Sequence, residues 1–242
     1  MTRSYPDWGR AAPVATVAPL ADLGELAARL GSINTYDRRG NVAWLDDFEA
    51  TLNKWGTGGD GTGNAVAIST SRARHGAQSV KLTTGSTGAK ESEIFHPEAY
   101  PVLGKYGIEY SFVLGSSALY QDVILVHYNG ANSYIYQIRY DKGANQLQIV
   151  DSSGTVVIDS SLTLSLNTSL WHHLKLVFDL VNNKYVRAML NERSYDLSAY
   201  SVSASADPTS AHLLTTIRYF AAAAVNDDCY LDDVIITQNE PG

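Results

Sequence analysis

The sequence predicts an all-β protein built as a two-sheet antiparallel sandwich, preceded by an arm that carries one short helix. Three observations predict it. From residue 41 to 238 the chain breaks into short runs rich in β-branched and aromatic residues, separated by Gly, Asn, Asp and Ser clusters. Many runs alternate with period two, as in Tyr134, Tyr136, Ile138 and Tyr140 against Ile135, Gln137 and Arg139. No helical periodicity of any length follows residue 40, so two packed sheets are the architecture left.

The elements follow in order. Residues 1 to 40 are Ala- and Pro-rich; Leu20, Leu23, Ala27 and Leu30 fall at helical spacing, with Gly31 as the stop. This arm has no core of its own, so Leu20, Leu23 and Leu30 need burial against the main domain or a neighbouring subunit. Tyr5 and Trp8 are aromatic anchors of the kind that dock into a partner. Residues 41 to 242 form the second unit. Its predicted strands are VAWLDDF (42–48), AVAIST (65–70), QSVKLTT (78–84), SEIFH (92–96), GIEYSFVLG (107–115), DVILVHY (122–128), SYIYQIRYD (133–141), QLQIVD (146–151), TVVIDS (155–160), WHHLKLVFDL (171–180), KYVRAMLN (184–191), TIRYFAAA (216–223) and YLDDVIIT (230–237). Turn chemistry lies between them in "NGAN" (129–132), "DKGANQ" (141–146), "DSSGT" (151–155) and "LVNNKY" (180–185). "GTGGDGTGN" (56–64) reads as a Gly-rich loop, and "LSAYSVSASADPTSAHLL" (197–214) as an extended connection able to lie on a neighbour. No repeat of fixed length argues for a propeller or solenoid.

Composition narrows function. A formal net charge of −7 and no Lys/Arg stripe exclude a nucleic-acid binder, because phosphates demand a basic surface. The single cysteine, Cys229, excludes an internal disulfide framework and a Cys-rich zinc site. No run of about 18 apolar residues spans a bilayer. Pro6, Asp7, Pro13 and Pro19 interrupt the first segment, so no signal peptide is expected.

The order Phe48-Glu49, Trp55, "GAQSVKLTT" (76–84), "WHHLKLVFDLVNNKYVRAMLN" (171–191) and "YLDDVIIT" resembles the concanavalin-A-like and laminin-G-like jelly rolls and the related β-sandwich carbohydrate-binding modules, over about residues 42 to 238. These motifs encode the sandwich more than its ligand. The resemblance implies that first and last strands lie side by side, which brings Asp46 and Asp47 near Asp232 and Asp233. It also implies a structural Ca²⁺ between those strands, held by Glu49 and Asp233 with Asp47 as a third ligand; hard oxygen donors suit that ion. The same acids also serve as solvated strand-end residues that discourage edge pairing. "LGSINTYDRRGNVAWLDDFEATLNKW" (30–55) is similar to the entry segment of jelly-roll proteins of tailed phages. That likeness implies a virion or surface-assembly protein, a capsid decoration or fibre subunit, with a homo-oligomer or another coat protein as partner.

Catalysis has weak support in the sequence. Jelly-roll glucanases use closely spaced carboxylates, and "KESEIFHPE" offers Glu91, Glu93 and Glu98 without the central Asp of their strand. His172 and His173 are adjacent in one strand and point to opposite faces, so they cannot share a metal. The expectation is therefore a non-catalytic module, with a carbohydrate-binding module and a glycan hydrolase or lyase as alternatives. For glycan recognition the hairpin "VHYNGANSYIYQIRY" offers Tyr128, Asn129, Asn132, Tyr134, Tyr136 and Arg139, a mixture of flat rings and polar donors. Tyrosines at alternating strand positions are equally good core-side sheet formers.

Overall fold

The computed structural model describes residues 40–88 and 90–241. Expectations for Tyr5, Trp8, Leu20, Leu23 and Leu30 lie outside them. The strands, in chain order, are β1 (Asn41–Asp46), β2 (Gly56–Asp60), β3 (Ala65–Ser69), β4 (Ser79–Thr83), β5 (Glu91–Ala99), β6 (Lys105–Val113), β7 (Ala118–Tyr128), β8 (Asn132–Asp141), β9 (Gln146–Asp151), β10 (Gly154–Asp159), β11 (His172–Asp179), β12 (Lys184–Leu190), β13 (Arg193–Asp196), β14 (Ala204–Ala206), β15 (His212–Ala221) and β16 (Asp228–Gln238). They form two antiparallel sheets. Sheet A runs β13-β12-β11-β6-β16-β4-β3, with β1 also paired to β16; sheet B runs β10-β9-β8-β7-β15-β5-β2, with β14 paired to β8.

The core lies between the sheets and is aromatic. Tyr110, Phe112 and Phe178 from sheet A meet Tyr136, Tyr140 and Tyr219 from sheet B, all fully buried. Each buried tyrosine hydroxyl finds a partner, as burial of a phenol requires. Tyr185 reaches across from β12 to donate to the Val150 carbonyl at 2.6 Å, and its oxygen accepts the Gln137 amide at 2.8 Å. Tyr140 accepts the Leu164 amide at 3.0 Å.

The first and last strands do meet: Leu45 pairs with Ile235 and Asp46 with Val234. The two Leu-Asp-Asp runs do different work there. Asp46 closes β1, accepting the Phe48 amide at 3.2 Å and the Trp55 indole at 2.9 Å, which pins Phe48 and Trp55 into the core. Asp233 has φ 53 and sits where the β16–β6 register shifts. At this bulge β16 passes from β4, paired to residues 228–231, to β1, paired to residues 234–238. Asp tolerates the left-handed conformation that the bulge demands.

Two readings of loops are corrected. "GTGGD" is β2, an edge strand of sheet B whose glycines are there for space. A Cβ on Gly56 would stand 2.2 Å from the Phe95 ring, and one on Gly58 2.6 Å from Glu93 Oε1. Within 197–214, residues Ala204–Ala206 pair with β8 of the same sheet. Among the described residues no helix is long and apolar enough to cross a membrane.

Candidate functional site

Antiparallel pairing puts opposed residues on one face, so register alone assembles the outer face of sheet B. One row across that face reads Gln148, Arg139, Asp122, Arg218, Glu93 and Gly58, from β9 through β8, β7, β15 and β5 to β2. From Gln148 to Glu93 is four strand spacings, about 19 Å. The adjacent row reads Gln146, Asp141, Tyr120, Phe220, Glu91 and Asp60. On the other side lie Val150, Gln137, Ile124, Thr216 and Phe95. The face thus carries a charged centre line between a row of two rings flanked by acids and a largely neutral row.

Asp122 is the centre of this face. Its side chain is fully covered, and Oδ1 accepts from Arg139 Nε at 2.7 Å while Oδ2 accepts from Arg139 Nη2 at 2.7 Å and Gln137 Nε2 at 2.9 Å. Arg218 reaches the same Oδ2 by Nη2 at 3.3 Å. Both guanidinium groups keep about a quarter of their side chains exposed. Arg139 lies over the Tyr120 ring at 4.3 Å, and Arg218 over the Phe220 ring at 5.3 Å. Tyr120 and Phe220 meet edge to face at 6.0 Å, both half-buried. Burial first, then the Glu91 carboxylate, push Glu93 above the usual carboxylate range; Arg218 opposes them. The arrangement offers ring surface for sugar C–H groups, and amide, guanidinium and carboxylate groups for hydroxyls.

The residues expected from the 126–140 hairpin divide between the two faces of the sheet. Arg139 is in the central row. Tyr128 is also outward, but at the sheet end, where it stacks on His212 at 4.6 Å. Asn129 holds the turn, its Oδ1 accepting the Ala131 and Asn132 amides at 3.0 and 2.8 Å; Asn132 begins β8. Tyr134 points inward and stacks on His127. Tyr136 is corrected outright: it has no exposure, and its ring packs 4.8 Å from Phe178 in the core. A strand of period two cannot present Tyr136 and Arg139 on one side. The residues missed were Tyr120, Asp122, Arg218, Phe220 and Gln148. Tyr120 and Asp122, like Arg218 and Phe220, share a face by their own i, i+2 spacing, which was the available signal.

Of the proposed calcium ligands, Asp47 Oδ1 accepts the Glu49 amide at 3.2 Å, and Glu49 Oε1 accepts the Ala77 and Gln78 amides, each at 2.8 Å. Asp233 Oδ2 is paired with the Arg74 guanidinium and with His75 Nδ1, while its Oδ1 is buried with no hydrogen-bond partner. Among the described residues no group of three or more His, Cys, Asp or Glu side chains is placed to hold a metal. A calcium ion here would draw most of its oxygens from main-chain carbonyls or water. Next to this, Asp232 is pushed up to about 7 by burial and by Asp233.

A concavity of about 370 Å³ opens elsewhere, between Trp44, His96, Glu98 and Tyr106. The Trp44 ring is already occupied there, stacked on His96 at 4.2 Å and edge-on to Trp55 at 5.1 Å.

No known protein family matches the sequence, and no curated protein matches it. Among solved structures the chain is similar to a cellulose induced protein, Cip1, with a TM-score of 0.55 at 14% identity over 82% of this chain and 99% of that one. The endo-β-1,4-glucuronan lyase of the fungus Trichoderma reesei gives the same score, 0.55, and identity, 14%, over 82% of this chain and 96% of that one. A Bacteroides ovatus GH16 protein, solved in complex with a mixed-linkage glucan product, gives 0.50 at 14% identity over 81% and 100%. At such identities the likeness shows the fold. It is a jelly-roll β-sandwich, the fold shared with the glucuronan lyase and the GH16 protein. None of these three is described as a virion protein.

Proposed function

We propose that this protein is a non-catalytic glycan-binding module whose ligand lies across the outer face of sheet B. The observation that carries this reading is the half-buried Tyr120–Phe220 pair set beside the Arg139–Asp122–Arg218 row, an outward surface of rings and fixed polar groups. Solved proteins of this fold include ones described as acting on or binding glycans, which is consistent with it. The non-catalytic part rests on the acids. Asp122 is saturated by four donors and unsuited to proton transfer, and the strand carrying Glu91 and Glu93 places Phe95 at the third outward position.

An immobilised glycan panel tests the reading. The protein is expected to retain at least one oligosaccharide class, and Tyr120→Ala or Phe220→Ala to weaken it about tenfold, the loss of roughly 1.4 kcal/mol of stacking. Retention of nothing overturns the reading. Shortened oligosaccharides, formed by the wild type and abolished in Glu93→Gln, replace it with a glycosidase. The assembly role read from residues 1 to 40 is a separate proposal. Native mass of the full chain tests it: a large symmetric particle supports it, and a monomer removes it.

A further inference from the structure

We propose that the glycan is acidic and that Arg218 selects it by pairing with a sugar carboxylate; this rests on the glycan-binding reading above. The central row contains two guanidinium groups and one carboxylate between them. Arg139 takes that carboxylate in a two-pronged pair, 2.7 Å on each oxygen, and Gln137 adds a third donor. Arg218 is left with a single longer contact, 3.3 Å, to an oxygen that already accepts two other hydrogen bonds. Its Nε is buried with no acceptor.

The other acid within reach leans away. Glu93 is paired with Arg218 in register, yet its Oε1 lies over Gly58 on the far side of β5, in space that any Cβ at residue 58 would fill to 2.6 Å. No ion pair joins Glu93 to Arg218 among the described residues. Arg218 is thus a cation held on one side by Asp122, with a quarter of its side chain exposed. A planar guanidinium is matched best by a carboxylate, which takes two of its N–H groups at once, whereas a hydroxyl takes one.

Glu91, Asp60 and Asp141 lie in the neighbouring row and repel an anion. They act from at least one strand spacing away at a solvent-facing surface, where charge interactions fall with distance and are screened by salt; the contact with Arg218 is direct. The same flanking acids disfavour a ligand charged at every position. The sugar that fits is a uronate seated over Arg218.

Titration calorimetry with otherwise neutral tetrasaccharides that carry one glucuronate, galacturonate or mannuronate residue, each against its carboxyl-reduced counterpart, decides the matter. The wild type is expected to bind at least one uronate about tenfold tighter than its neutral partner. Arg218→Gln is expected to bring that ratio to about one. Glu93→Gln is expected to raise the ratio, since it removes a negative charge in the row beside Arg218. Melting curves of both variants confirm that they fold. Equal affinity for the acidic and neutral members, or a preference that survives in Arg218→Gln, overturns the inference and leaves glycan binding standing. Binding of neither overturns the reading beneath it.

Discussion

Glu240 anchors a buried ion-pair cluster in this sandwich. Its carboxylate is fully covered and lies 2.7 Å from Lys175 Nζ, 2.7 Å from Arg187 Nη2 and 2.5 Å from the Thr237 hydroxyl. The Lys175 contact is an ion pair by distance and not aligned as a hydrogen bond. Glu240→Gln keeps shape and removes charge, so the Lys175 ammonium, itself buried, loses its counter-ion. Stranding one member of a buried pair costs about 3–5 kcal/mol. Arg187 keeps a fifth of its side chain exposed and can turn to water, which favours the lower figure. At roughly 2–4 °C per kcal/mol for a domain of this size, a loss of about 3 kcal/mol lowers the melting midpoint by about 6–12 °C. Calorimetry and urea unfolding measure it. Lys175→Met combined with Glu240→Leu removes both charges and is expected to recover most of the loss, because apolar replacement of a whole buried pair is close to neutral. A shift under about 2 °C for Glu240→Gln, or a double variant weaker than the single one, refutes the reasoning.

Three further outcomes are expected. Tyr136→Phe loses only the hydroxyl that donates to the Asp179 carbonyl at 3.3 Å, so it costs about 1 kcal/mol of stability and leaves glycan affinity unchanged; reduced affinity at an unchanged midpoint would return Tyr136 to the ligand surface. Burial, partly offset by Thr215, pushes Glu98 up from 4.5 to about 7. Between those values the native chain holds a proton that the unfolded chain has released, so this contribution to stability is present at low pH and lost as pH rises. Wild type minus Glu98→Gln is therefore expected to fall by up to about 3 kcal/mol from pH 4.5 to 7, while Asp232, raised in both proteins, cancels; a flat difference contradicts the assignment. The calcium proposal for Asp47, Glu49 and Asp233 expects a lower melting midpoint in chelator; an unchanged one removes the ion and leaves Asp233 to its side-chain partners Arg74 and His75.

The strands were legible where side chains alternate strongly, because one buried face imposes period two on the sequence. β7 and β8 follow from that, whereas β11 and β16, buried on both faces, were legible as apolar runs bounded by turn residues. β2 was not legible, since Gly56, Gly58 and Gly59 pair through backbone and leave room for Phe95 and Glu93 without any side-chain pattern. β14 is three small residues held by their pairing to β8. The meeting of β1 with β16 was implied by the jelly-roll resemblance, and the repeated Leu-Asp-Asp runs it brought into view are a strand-end turn and a bulge. In the central row the sequence reading singled out Arg139 as a ligand contact and Glu93 as a candidate acid, without bringing them together. The row is drawn from β2, β5, β7, β8, β9 and β15, and the order in which strands neighbour one another is set by the long-range path of the chain, which local pattern does not encode.

Chemical-shift mapping during titration with the best oligosaccharide tests the central claim most directly. The account predicts that perturbed amides cluster on β5, β7, β8 and β15 around Glu93, Tyr120, Asp122, Arg139, Arg218 and Phe220. Perturbations gathered instead at the 128–134 turn, or around Trp44, His96 and Glu98, would contradict it.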